Sequence, residues 1–235
     1  IGQNSCPKDY VSDSDALKSL PLCRSSYPYY GGSKNLTLNE LKTPGHVTVV
    51  SNYFVGCNAG RRESGVFAYV AQRLWNQYGD RVTFLTGLKG ADCQQWVDIY
   101  RTDVIELYPS SFVIPREMPI AIDDGADFVL RDMLFATPYP HPSYVILDGN
   151  LQIRHKFVGP CCGIDRYSEC GTTMAKTLDN TLTNYVESIL SEIPQTFSPT
   201  KVPTLPPTNA PTQVDIPPPT ASPVKTCIIG EGESW

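Results

Sequence analysis

The sequence predicts an α/β chain in which a central mixed sheet is flanked by helices, with a disulfide-pinned N-terminal arm before it and an extended Pro/Thr-rich stalk after it. Three observations carry this reading. β-Branched and helical stretches alternate from residue 46 to residue 100, as parallel strands joined by crossover helices require. A hairpin signal, Asp148-Gly149-Asn150, separates two later strand-like runs, which adds antiparallel pairing to the sheet. Ten of the chain's 21 prolines fall between Pro194 and Pro223, where apolar side chains are too sparse to build a core.

Residues 1–45 mix Ser, Pro, Gly and Tyr without sustained periodicity and read as an irregular arm that Cys6 and Cys23 would pin. The domain proper is expected over 46–192. Its first strand is the run His46 to Val55, bounded by Pro44-Gly45 and Gly56, with the composition of a strand buried on both faces. After Gly60 the period becomes helical. Val66, Phe67, Val70, Leu74, Trp75 and Tyr78 recur at three and four residue intervals until Gly79-Asp80 ends them. Arg81 to Gly87 is a second strand, and a helix is expected from Asp92 to Tyr100.

Further on, Met118 to Asp123 is a short apolar run and Phe128 to Phe135 a short helix. Between them, Asp123 to Asp127 lacks the spacing and closing Glu of an EF-hand loop and reads as a turn with solvated carboxylates. Ser143 to Asp148 is a strand, and Leu151 to Val158 alternates as its antiparallel return should. The last helix places Met174, Leu178, Leu182, Val186, Ile189 and Leu190 on one face.

Residues 193–226 form the expected stalk and 227–235 a short tail. Pro-Thr pairs recur every four residues, at Thr200, Thr204, Thr208 and Thr212, in a segment that favours polyproline II. These threonines are candidate O-glycosylation sites, and Asn35 in Asn35-Leu36-Thr37 is a candidate N-glycosylation site.

A formal charge of −5, spread along the chain, leaves no basic stripe to neutralise a phosphate backbone, so nucleic acid is not an expected partner. No run approaches the roughly 20 apolar residues that span a bilayer, so no membrane span is expected. A start at Ile1 reads as a mature chain from which a signal peptide has been removed. The eight cysteines are even in number and permit complete pairing. Adjacent Cys161 and Cys162 with nearby Cys170 do not have zinc-ligand spacing, and no metal or cofactor is expected. Disulfides are, and with them a secreted, extracellular protein. Cys6 is expected to pair with Cys23, and Cys161 or Cys162 with Cys170 or with Cys227.

At the mouth of the first strand stands Gly56-Cys57-Asn58-Ala59-Gly60-Arg61-Arg62, opening the helix. A sulfur there lies near the helix N-terminal amides, which stabilise a thiolate. With His141-Pro142 directly before the 143–148 strand, the Asp148-Gly149 hairpin and the closing helix, this pattern resembles the thioredoxin-like superfamily over residues 44–192. The segment around Pro119 to Phe135 is similar to the insertion of TlpA-type redoxins, and Val47 to Tyr100 to the N-terminal domain of selenoprotein P. The resemblance implies a thioredoxin-like fold in which Pro142 is a cis-proline packed beside Cys57.

The pattern also departs from these families. The position three after Cys57, where a CxxC enzyme has its resolving thiol, is Gly60, and Phe54 stands where peroxiredoxins carry Thr or Ser. Three readings of Cys57 stay open: a bridge to Cys93, which lies just past the neighbouring parallel strand; a redox-active thiol resolved by Cys93 or an external thiol; and a buried inert thiol. The leading expectation is the bridge. With it goes a structural or interaction component of an extracellular assembly, whose partners are other extracellular proteins or copies of itself met through the stalk. The alternative is an extracellular thiol-disulfide oxidoreductase using Cys57.

Overall fold

A computed structural model describes residues 10–23, 34–54, 57–89, 119–124, 129–135, 142–161 and 172–192. All of them belong to one unit, Ile1–Ser198. The helix expected over 92–100, the stalk and tail, and Cys6, Cys93, Cys162, Cys170 and Cys227 lie outside the described residues.

The strands are β1 (Leu20–Pro21), β2 (Asn35–Leu36), β3 (Val47–Phe54), β4 (Val82–Lys89), β5 (Ile120–Asp123), β6 (Ser143–Asp148) and β7 (Ile153–Val158). The helices are α1 (Asp13–Ala16), α2 (Asn58–Tyr78), α3 (Val129–Leu134) and α4 (Thr172–Glu192). Five strands form one sheet in the order β5-β4-β3-β6-β7. β3 pairs parallel with β4, Val47 opposite Val82 through Phe54 opposite Lys89. It pairs antiparallel with β6, Val47 opposite Asp148 through Asn52 opposite Ser143. This is the mixed sheet the sequence predicts, with β3 at its centre.

Two faces of that sheet are buried, which is why β3 carries almost no polar alternation. Val47, Val49 and Tyr53 of β3 join Phe84, Leu88, Tyr144 and Ile146 in a cluster sealed by α2 and α4 through Phe67, Val70, Leu74, Leu178, Leu182 and Val186. Val50, Leu85, Ile122, Val145 and Leu147 belong to a second cluster. The cover of this second cluster is α3 and the N-terminal arm.

Over its described residues the arm is therefore not irregular, and there the structure corrects the sequence reading. Ser12 caps α1 by accepting a hydrogen bond from the Asp15 N–H at 3.2 Å. β1 and β2 form a two-stranded antiparallel ladder, and Leu38–Leu41 is a 3-10 turn. Leu20, Leu36 and Leu38 are fully buried in the second cluster. The Cys23 N–H donates to the Ala121 carbonyl at 2.8 Å, and Leu22 bridges to Ile122, so the arm is stitched onto β5. Elements of two to four residues are too short to show a period, which hides them from sequence patterning.

Two boundaries also shift. α2 begins at Asn58, so Gly60 lies inside its first turn instead of before it. β7 begins at Ile153, because Leu151 takes a positive φ of 62° and lengthens the hairpin turn.

Candidate functional site

Register brings three loops to one end of the sheet. β3 runs toward Phe54, and Asn52 pairs with Ser143, the first residue of β6. Ser143 pairs in turn with Val158, the last residue of β7. The segment after β3, the residue before β6 and the segment after β7 thus converge, and they carry Cys57, Pro142 and Gly159 to Cys161.

Cys57 is the N-cap of α2, with φ −89° and ψ 117°. Its carbonyl accepts the first intrahelical bond, from the Arg61 N–H at 2.9 Å, and its sulfur makes no capping bond. The residue is half-buried and is a thiol. Cys93, its expected partner, lies outside the described residues. The Cys57 side chain packs, together with Met174, against the buried pair Ala59 and Cys161. Cys161 is disulfide-bonded, as is Cys23. Its expected partners, and Cys6 as the expected partner of Cys23, lie outside the described residues. With Cys57 a thiol, the other seven of the eight cysteines close at most three bridges within one chain.

Pro142 is buried at the start of β6, and its carbonyl accepts the Gly159 N–H at 3.0 Å, which ties it to the loop that carries Cys161. Gly159 has no room for a side chain. A Cβ there would land on the Glu63 carboxylate.

Glu63 is the residue that sequence reasoning missed. It sits in the second turn of α2 and is 1% exposed. Its Oε1 accepts the Cys161 N–H at 2.6 Å, and its Oε2 accepts the Tyr144 hydroxyl at 2.7 Å. The Tyr144 and Tyr53 hydroxyls are 2.9 Å apart, and Tyr53 is hydrogen-bonded to Ser51, whose Oγ lies 2.7 Å from Thr86 Oγ1. A polar chain thus runs from the Cys161 backbone through Glu63 and across three strands of the sheet. Burial pushes the Glu63 carboxyl up to about 7, against the opposing pull of the Tyr144 and Cys161 hydrogen bonds. Burial, with the Glu63 charge beside them, pushes both phenols well above their ordinary range, so they stay neutral donors. One signal was available in the sequence. Glu63 stands four, seven and eleven residues before Phe67, Val70 and Leu74, on the apolar stripe of α2.

The remaining candidates are structural or lie outside the described residues. Asp124 is 5% exposed, and its carboxylate accepts the Leu130 and Arg131 N–H groups at 2.8 and 2.9 Å, so it caps α3 and is not a solvated turn residue. His155 stacks on Tyr185 with ring centroids 3.8 Å apart. Asn35 is exposed on β2. Thr200, Thr204, Thr208 and Thr212 lie outside the described residues. Among the described residues no group of three His, Cys, Asp or Glu side chains could hold a metal, and no helix is long and apolar enough to cross a membrane.

No protein-family profile matches the chain, and no curated protein matches it. Among solved structures it is similar to a secreted Mycobacterium tuberculosis disulfide oxidoreductase homologous to E. coli DsbE, at 11% identity and a TM-score of 0.43, covering 71% of this chain and 99% of that one. It is also similar to the thioredoxin domain of a Bacteroides vulgatus thiol-disulfide oxidoreductase (18% identity, TM-score 0.44, 77% and 99% covered). Peroxiredoxin Q of Xanthomonas campestris matches at 12% identity, TM-score 0.43, with 75% and 96% covered.

Proposed function

From a chain with the thioredoxin-like fold, we propose an extracellular thiol-disulfide exchange protein that acts through Cys57. The observation that carries the proposal is a half-buried Cys57 thiol standing as N-cap of the 21-residue α2. There its sulfur, the nucleophile of exchange, is partly open to solvent at the end of the sheet where the three loops converge. Attack by the Cys57 sulfur on a substrate disulfide forms one S–S bond and expels one substrate sulfur as thiolate, leaving a mixed disulfide. Gly60 cannot release that species, so the chain differs from a CxxC reductase in its second step, which needs a sulfur from elsewhere.

A Cys57 thiol supports exchange over a purely structural body. Disulfides at Cys23 and Cys161 support an oxidising compartment. The Pro/Thr stalk over 193–226, carrying glycans at its threonines, would serve as a spacer that presents the domain to other extracellular proteins or to copies of itself.

The test is reaction of native protein with glutathione disulfide, then peptide mapping without reduction. One glutathione adduct on the Cys57 peptide is expected, and none in Cys57→Ser. A wild type that takes up glutathione no faster at Cys57 than the variant does elsewhere would defeat the proposal.

A further inference from the structure

Cys57 does not stand alone at its helix end. Its side chain packs with Met174 against Ala59 and Cys161, and Cys161 is half of a disulfide. Cys57 and the disulfide-bonded Cys161 thus share one small apolar cluster. The Cys161 side chain is wholly buried, so a bulky external thiol has no direct approach to it. Cys57, half-buried, faces both the cluster and solvent. The Cys161 backbone is held in place by its N–H bond to Glu63 at 2.6 Å, and Gly159 lets that loop pass close over the carboxylate.

We propose that Cys57 exchanges with the Cys161 disulfide, so that the chain alternates between two bridged forms. This rests on Cys57 acting as the exchanging thiol. The Cys57 thiol gives its proton to solvent, and the thiolate attacks Cys161 Sγ. A Cys57–Cys161 bond forms, the bond between Cys161 and its original partner breaks, and that partner leaves as a thiolate and takes a proton. One disulfide and one thiol are present before and after, so no oxidant or reductant is consumed. In the second form the disulfide sits at the half-buried Cys57 sulfur, where a substrate thiol can attack it. Oxidising equivalents held at buried Cys161 thereby reach the surface through Cys57.

The full chain, purified without reductant, is incubated natively at pH 6 and at pH 8.5, quenched with acid, alkylated, and digested without reduction. A Cys57–Cys161 linked peptide is expected beside the peptide joining Cys161 to its original partner, and it should form faster at the higher pH because exchange proceeds through a thiolate. The linked peptide should be missing from Cys57→Ser. Absence of the link in wild type at both pH values, or Cys57 joined to Cys23 as often as to Cys161, overturns the inference. Glutathione uptake by Cys57, measured on the same samples, separates the two ideas: uptake without the link rejects internal exchange alone, and neither uptake nor link rejects Cys57 as an exchanging thiol altogether.

Discussion

The Tyr144 hydroxyl donates to Oε2 of Glu63 at 2.7 Å inside a protein interior where both residues are almost wholly buried. Because burial raises the Glu63 carboxyl from 4.5 to about 7, the folded chain holds a proton there that the unfolded chain releases. Stability therefore falls as pH rises through the window from 4.5 to about 7, by on the order of 3 kcal/mol from this group. Glu63→Gln keeps an acceptor for the Cys161 N–H and a donor for the Tyr144 oxygen, yet cannot ionise. Urea unfolding at pH 5 and at pH 7.5 should show wild type losing stability relative to Glu63→Gln across that interval. Parallel behaviour of the two proteins would refute a neutral buried Glu63.

Tyr144→Phe should cost about 1 to 3 kcal/mol, since it strips one partner from a buried carboxyl and one from Tyr53. Tyr53→Phe should cost less, because it leaves the Glu63 bond intact. Equal losses in denaturant midpoints would argue against a chain ordered from Glu63 outward.

Gly159→Ala drives a methyl group into the Glu63 carboxylate, both of whose oxygens are already bonded. A loss of about 1 to 3 kcal/mol is expected. Glu63→Ala should relieve most of that clash, so the double variant should fall well short of the summed single losses. Additivity in thermal or urea unfolding would separate the two sites.

The central strand was legible in sequence because Val47, Val49 and Val50 form a β-branched run between Pro44-Gly45 and Gly56. The 143–158 hairpin was legible from Asp148-Gly149. The polar half of the site was not, because Tyr53 and Tyr144 look like ordinary strand aromatics until the register places their hydroxyls together. Cys161 was read as a disulfide cysteine, but its nearness to Cys57 comes from the pairing of β3, β6 and β7, which no local pattern encodes. Gly159 announced nothing, since the atom it must avoid belongs to a helix 96 residues earlier in the chain.

Cysteine parity gives a count that does not depend on connectivity. A monomer of eight cysteines with Cys57 as a thiol must carry an even number of thiols, two at the least. Thiol titration of monomeric, unreduced protein in guanidinium should read two or more, and Cys57→Ser one fewer. A reading of zero would mean that Cys57 is closed.

Leu36 and Leu38 are fully buried against the second sheet face. Truncating either to Ala should cost about 2 to 5 kcal/mol, a core-sized loss from a segment with no visible periodicity. A loss under about 0.5 kcal/mol, within the range of ordinary surface substitutions, would detach the arm from the core.

The arm's docking face is assembled from Val50, Leu85, Ile122, Val145 and Leu147, which are spread over almost a hundred positions of chain. During synthesis the leucines of residues 20 to 41 leave the ribosome before the surface that covers them, which is complete only after Leu147 has emerged. Until then those side chains must wait in water, exposed to one another and to neighbouring chains. These early side chains are among the last that can be buried, which makes the folding of this protein a matter of late closure and leaves the nascent arm a natural point of chaperone contact.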